Sequence, residues 1–106
     1  KTDLKCIEIK KNQGWCNDVN LRKKYNKLIK VNNNTKHEKL FRKDHKYDLL
    51  IPVKYNFNNP KVGRGSCIFI HLTKSYKPTA GCVALKKKDF LIMLKLISKN
   101  TKIKIV

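Results

Sequence analysis

The chain has 106 residues, 41% of them apolar, and sets 26 Lys and Arg against 7 Asp and Glu, for a formal charge of +19. That length bounds it to one domain, and a chain of this size buries roughly two thirds of its unfolded surface, enough for a core without staples. No apolar run approaches the ~20 residues of a membrane-spanning helix, and neither an initiator Met nor an apolar signal segment opens the chain at Lys1, so either a leader has been removed or a longer chain precedes it.

From the N-terminus, Leu4 to Ile9 alternates apolar and polar residues and predicts a half-buried strand. The turn residues of "KNQG" follow, ahead of Trp15. Residues 19–30 place Val19, Tyr25, Leu28 and Ile29 at roughly helical spacing, in a helix weakened by its asparagines. Val31 to Thr35 is Asn-rich and reads as a surface loop. Thr35 with Glu38 three residues on is a capping-box pattern that predicts one short helical turn.

Tyr47 to Tyr55, "YDLLIPVKY", has strand composition, and Pro52 restricts it to an edge or a bulge. "NFNNPKVGRGS" is a loop or hairpin connection. "SCIFIHL" is a near-continuous apolar strand, expected to be buried on both faces, and "KSYKPTAG" turns the chain again. Residues 86–99 predict a helix, apolar nearly all round and therefore well buried, with lysines at both ends. "TKIKIV" alternates once more, with Ile103 and Ile105 pointing in. The sum is an α+β fold, mainly β, with one C-terminal core helix.

The charge has two readings. Lys and Arg neutralise phosphates, which points to a polyanion partner. Only Arg22, Arg42 and Arg64 are arginines, however, and the excess of Lys, Asn and Ile is what an AT-rich coding sequence produces. Dedicated nucleic-acid readers lean on Arg for bidentate contacts, and that signature is missing.

Four cysteines, Cys6, Cys16, Cys67 and Cys82, include no C-x-x-C pair. Cys67 and His71 form a C-x3-H with no second ligand pair, so a zinc site has little support. Cys6 and Cys16 could close a small disulfide loop in an oxidising compartment, or stay free as buried thiols.

The chemistry concentrates in "GSCIFIHLTKSYKPTAGCVAL", residues 65–85. His71 ends a strand, and Cys82 follows a glycine that permits a tight backbone with amides turned toward a ligand. A working cysteine needs a base or cation beside it, and a tetrahedral oxygen needs two preorganised donors. The same residues equally suit a structural histidine at a strand end and a small buried thiol. His37 and His45, in charged surroundings, read as exposed.

This stretch, running on through "KKKDFLIMLKLISKNTKIKI", resembles the end of a YkuD-type L,D-transpeptidase catalytic domain, in which a strand ending in His leads through a short loop to Gly-Cys-aliphatic. "GWCNDVNLRKKYN", "HEKLFRKDHKYDLLIPVKYN" and "GRGS" resemble the branch of that family with Ala-Gly-Cys in place of His-Gly-Cys, so the likeness covers residues 14–106. It implies that Cys82 is the nucleophile, His71 its base, the Leu72 carbonyl the third member that orients the imidazole, and the Gly81 and Cys82 amides the oxyanion donors. Ala80 and Ala84 stand where many members carry His and Arg or Asn, so substrate positioning falls to other residues, with Arg64, Tyr47 and Trp15 as the candidates.

The resemblance further implies a β-sandwich-like sheet whose early strands lie upstream of this chain. The substrate would be the peptidoglycan stem peptide of the bacterial cell wall, in a periplasmic or extracellular setting. It implies neither metal nor organic cofactor, no nucleic-acid partner, and a domain acting as a monomer. The alternative is a basic, non-enzymatic module that binds nucleic acid or another polyanion.

Overall fold

The computed structural model describes residues 2–32 and 34–104. Three short antiparallel strands make the first sheet: β1 (Gln13–Cys16), β2 (Leu28–Lys30) and β3 (His37–Lys39), in the order β2-β1-β3. Trp15 lies opposite Leu28 on one side and Glu38 on the other. Gly14 in the central strand has no room for a side chain, because a Cβ there would sit 2.7 Å from the His37 ring.

The second sheet comprises β4 (Leu50–Pro52), β5 (Phe69–Leu72) and β6 (Val83–Leu85), ordered β4-β5-β6. β4 runs antiparallel to β5, and β6 runs parallel to it. Every residue of β5 is buried, as its near-continuous apolar run predicts. Alternation then divides the strand. Phe69 packs with Trp15, Leu40 and Tyr47 in one cluster, while Ile70 and Leu72 pack with Phe90 of α1 (Lys87–Leu96) in a second. The second sheet thus has a core on each face: the first sheet covers one and the helix the other. Pro52 sits in an edge strand, where its missing N–H costs no ladder bond. The whole is a small α+β domain, mostly β, and no helix among the described residues is long and apolar enough to cross a membrane.

Several elements differ from expectation, each because a long-range pairing or its absence overrides local pattern. Leu4 to Ile9 is not a strand: it makes no backbone ladder, and Ile7 is exposed. Alternation suits a strand only when a neighbour pairs with it. Residues 19–27 form turns rather than a helix, and residues 28–30 are β2. Asp18 takes the Asn20 and Lys36 amides, while Asn26 adopts a left-handed φ of 57°, which stops helical growth.

The capping-box helix of Thr35 and Glu38 is absent as well. The Thr35 hydroxyl donates to Asn32 instead, and residues 37–39 pair with β1. Of Tyr47 to Tyr55 only residues 50–52 are strand, since the segment opens in a turn at His45, whose φ is 65°.

The helix ends at Leu96, three residues short of expectation, and only Phe90 is fully buried in it. Leu91, Ile92 and Leu96 face outward, because the helix has a single neighbouring layer. Thr101–Lys104 is neither strand nor buried, and Ile103 is exposed. Ile105 lies outside the described residues. All four cysteines are free; Cys6 is exposed and Cys16 buried, so the Cys6–Cys16 bridge is not formed.

Candidate active site

His71 occupies the third position of β5, on the face turned toward the first sheet, and is 8% exposed. Its Nδ1 lies 2.9 Å from the carbonyl oxygen of Leu72. A carbonyl oxygen only accepts, so Nδ1 carries a proton and donates, and in the neutral ring Nε2 is then the nitrogen with the lone pair. The imidazole is therefore fixed in the tautomer that a general base requires.

Cys82 stands one residue ahead of β6. β5 and β6 pair in parallel with Ile70 beside Val83 and His71 beside Ala84. Continuing that register by one residue sets Cys82 level with Phe69, so thiol and imidazole project from the same face of the sheet. Consistent with this, Cys82 packs against the cluster that contains Phe69, Trp15 and Tyr47. The Cys82 thiol donates to the Cys67 carbonyl oxygen at 3.2 Å, and no hydrogen bond joins it to His71 among the described residues. Catalytic hydrogen bonds are commonly long or unformed before substrate binds.

The chain ahead of Cys82 is tightly folded. Gly81 has φ of 119°, which side-chain-bearing residues rarely adopt, and the Thr79 hydroxyl donates to the Cys82 carbonyl. Among the described residues no acceptor takes the Gly81 amide. The same loop is tied to α1 by Tyr76, whose hydroxyl donates to Asp89 and accepts from the Lys86 amide.

Tyr47 joins the pieces. Its ring meets the His71 ring edge-on at 5.4 Å, its hydroxyl donates to Glu38 at 3.3 Å, and the Arg42 guanidinium lies over it at 5.0 Å. Burial pushes its phenol pKa well up, with the Glu38 and Cys82 charges adding to the effect. Arg42 is itself held by Glu38 at 3.2 Å and by Asp44, whose carboxyl it lowers to about 2. Cys67 behaves as a packing residue: burial pushes its thiol up to about 11, opposed by Ser66 and reinforced by Glu38, Cys82 and Cys16.

Of the three substrate-positioning candidates, Tyr47 alone makes an aromatic contact with His71 among the described residues. Trp15 is a core residue, edge-on to Phe69 at 5.3 Å with its indole N–H given to Asn26. Arg64 sits on the exposed loop before β5 and makes no hydrogen bond or ion pair to Cys82 or His71 among the described residues. His45 is exposed and pairs with Asp48, whereas His37 is half-buried against the Thr35 carbonyl. No three His, Cys, Asp or Glu residues gather to hold a metal among the described residues. A groove of about 780 Å3 between Leu4–Ile9 and β4 is lined by Tyr47 and Arg42, but by neither Cys82 nor His71.

Glu38, Arg42 and Asn26 are parts of this site that the sequence does not flag. Glu38 is legible only as a helix-capping residue, and nothing local marks Asn26, whose partners lie up to 41 residues away. Compared with known protein families, curated proteins and solved structures, the chain matches none.

Proposed function

We propose that this protein is a cysteine acyltransferase of the L,D-transpeptidase type, acting on peptidoglycan stem peptides outside the cytoplasm as a monomer. The observation that carries the reading is the 2.9 Å contact between His71 Nδ1 and the Leu72 carbonyl, which leaves Nε2 as a base on the sheet face that also bears Cys82. On this reading the small domain is the sandwich-like core of that family.

His71 takes the Cys82 proton, and the thiolate attacks the carbonyl on the L-centred side of an L,D bond. The tetrahedral oxygen is met by the Gly81 and Cys82 amides. His71 then protonates the departing D-amino acid, leaving a thioester on Cys82. An amine from a second stem or another wall-bound acceptor resolves it, and water in its place gives a carboxypeptidase. Tyr47 packs against the imidazole and keeps it oriented, and no step calls on a metal or organic cofactor.

Incubation with a carbapenem or a tetrapeptide muropeptide, followed by mass spectrometry, tests the reading. The expected result is one acyl adduct on Cys82, absent in Cys82→Ala. In His71→Gln the adduct forms about 10²–10⁴-fold more slowly. A folded, reduced protein that forms no adduct at Cys82 overturns the assignment. The charge of +19 favours a second reading, a basic module that holds a polyanion without turnover. Steeply salt-dependent DNA binding without acylation is its signature.

A further inference from the structure

We propose that Cys67 and Cys82 form a reversible disulfide under hydroperoxide stress, making Cys67 a built-in guard that switches the Cys82 thiol off. The regulatory meaning rests on the acyltransfer reading of Cys82, whereas the sulfur chemistry rests on geometry alone.

Parallel pairing of β5 and β6 sets the N-terminal ends of the two strands side by side, with Ile70 beside Val83. Cys67 lies two residues ahead of one strand and Cys82 one residue ahead of the other. That register sets Cys82 level with Phe69, two residues past Cys67, so strand spacing alone does not put the two cysteines opposite each other. What brings them together is a bend at Cys67, where φ is 58° and the amide is held by Asn26 Oδ1 at 3.3 Å. That bend turns the Cys67 carbonyl onto the Cys82 sulfur, 3.2 Å away. Both side chains pack on the same apolar cluster, so rotation of side chains, rather than movement of the sheet, brings the sulfurs together.

The other two thiols are poorly placed for this chemistry. Cys16 is fully buried inside the central strand β1, and Cys6 lies on the exposed N-terminal segment. Acyl transfer gives Cys67 no task.

Cys82 is the sulfur that reacts first, because it directly follows the exposed Ala80–Gly81 turn, while burial holds Cys67 as a neutral thiol. The Cys82 thiolate attacks the terminal oxygen of the hydroperoxide: an S–O bond forms, the O–O bond breaks, and the alkoxide leaves as an alcohol after taking a proton. Cys67 sulfur then attacks the Cys82 sulfenic acid, the S–S bond forms, and the hydroxyl departs with the Cys67 proton as water. Two thiols lose two electrons, and the hydroperoxide gains them. A dithiol reductant reverses the bridge, whereas sulfinic acid on Cys82 would be permanent.

The test treats the reduced, folded full chain with a modest excess of hydrogen peroxide, with and without dimedone, and maps cysteines under non-reducing conditions. The expected product is a Cys67–Cys82 linked peptide, two hydrogens lighter and restored by dithiothreitol, with little dimedone on Cys82. In Cys67→Ser, and in Cys67→Ala should serine disturb folding, the link is lost and dimedone-labelled or sulfinic Cys82 rises several-fold. Equal labelling of Cys82 in wild type and variant, with Cys67 still alkylatable, overturns the proposal. Carbapenem acylation of the untreated protein separates the two ideas. Acylation without a disulfide sinks the guard alone, whereas a disulfide without acylation sinks both the gating and the acyltransfer reading.

Discussion

Asn26 sits in a left-handed backbone position and spends its whole side chain on other segments. Its Oδ1 accepts from the Trp15 indole at 2.7 Å and the Cys67 amide at 3.3 Å, and its Nδ2 donates to the Tyr55 and Asn56 carbonyls at 3.0 and 2.6 Å. One residue therefore ties β1 and the loop before β5 to the bend that presents Cys67 to Cys82. Asn26→Ala leaves the buried Trp15 indole and the partly buried Cys67 amide without acceptors, each worth about 1–3 kcal/mol, so unfolding in urea is expected to lose about 2 kcal/mol or more. A loss below about 1 kcal/mol would show that these contacts are replaceable. None of this is visible in the sequence, where Asn26 is one asparagine among many. By contrast His71 and Cys82 are legible, because each stands at a pattern break: one at the end of an apolar run, the other behind a glycine.

Elements obey the same division between local and long-range causes. β5 and α1 are readable because their signals are strong and local, an apolar run and a ten-residue helix with Asp89 in its first turn and Lys95 in its last. β2 and β3 are not, because three-residue strands carry almost no periodicity and exist only through pairing with β1. Helix burial is also undecided by periodicity, since apolar residues on every side do not say which side meets the sheet. Phe90, 1% exposed, is that contact. Phe90→Ala is expected to cost about 3–5 kcal/mol, whereas Leu96→Ser, at a position 79% exposed, should stay within about 0.5 kcal/mol. Equal costs in denaturant titrations would mean that the helix docks by a different face.

For the molecule as a whole, the net charge is the dominant long-range term. Only Arg42 among the basic side chains pairs with carboxylates among the described residues, apart from the His45–Asp48 contact. The remaining cations repel one another over about 10 Å at 0.1 M salt. Thermal stability is therefore expected to rise as NaCl is raised from about 0.02 to 0.3 M, a range in which the Debye length shrinks severalfold. A melting temperature indifferent to salt would show the lysines to be too far apart to interact.

Composition and pattern alone determine an α+β make-up of strongly basic charge, the buried strand β5, the C-terminal helix α1, and the chemical types at residues 71 and 82. Tertiary structure alone decides that these two share a face. It also places Tyr47, Glu38 and Arg42 around them and lays the Cys82 sulfur on the Cys67 carbonyl. The physical reason is the reach of the interactions. Burial and turn propensity act over a few residues and are written in order along the chain. Strand register, by contrast, fixes which side chains face each other across gaps of 13 to 25 residues, and that depends on how the sheets close.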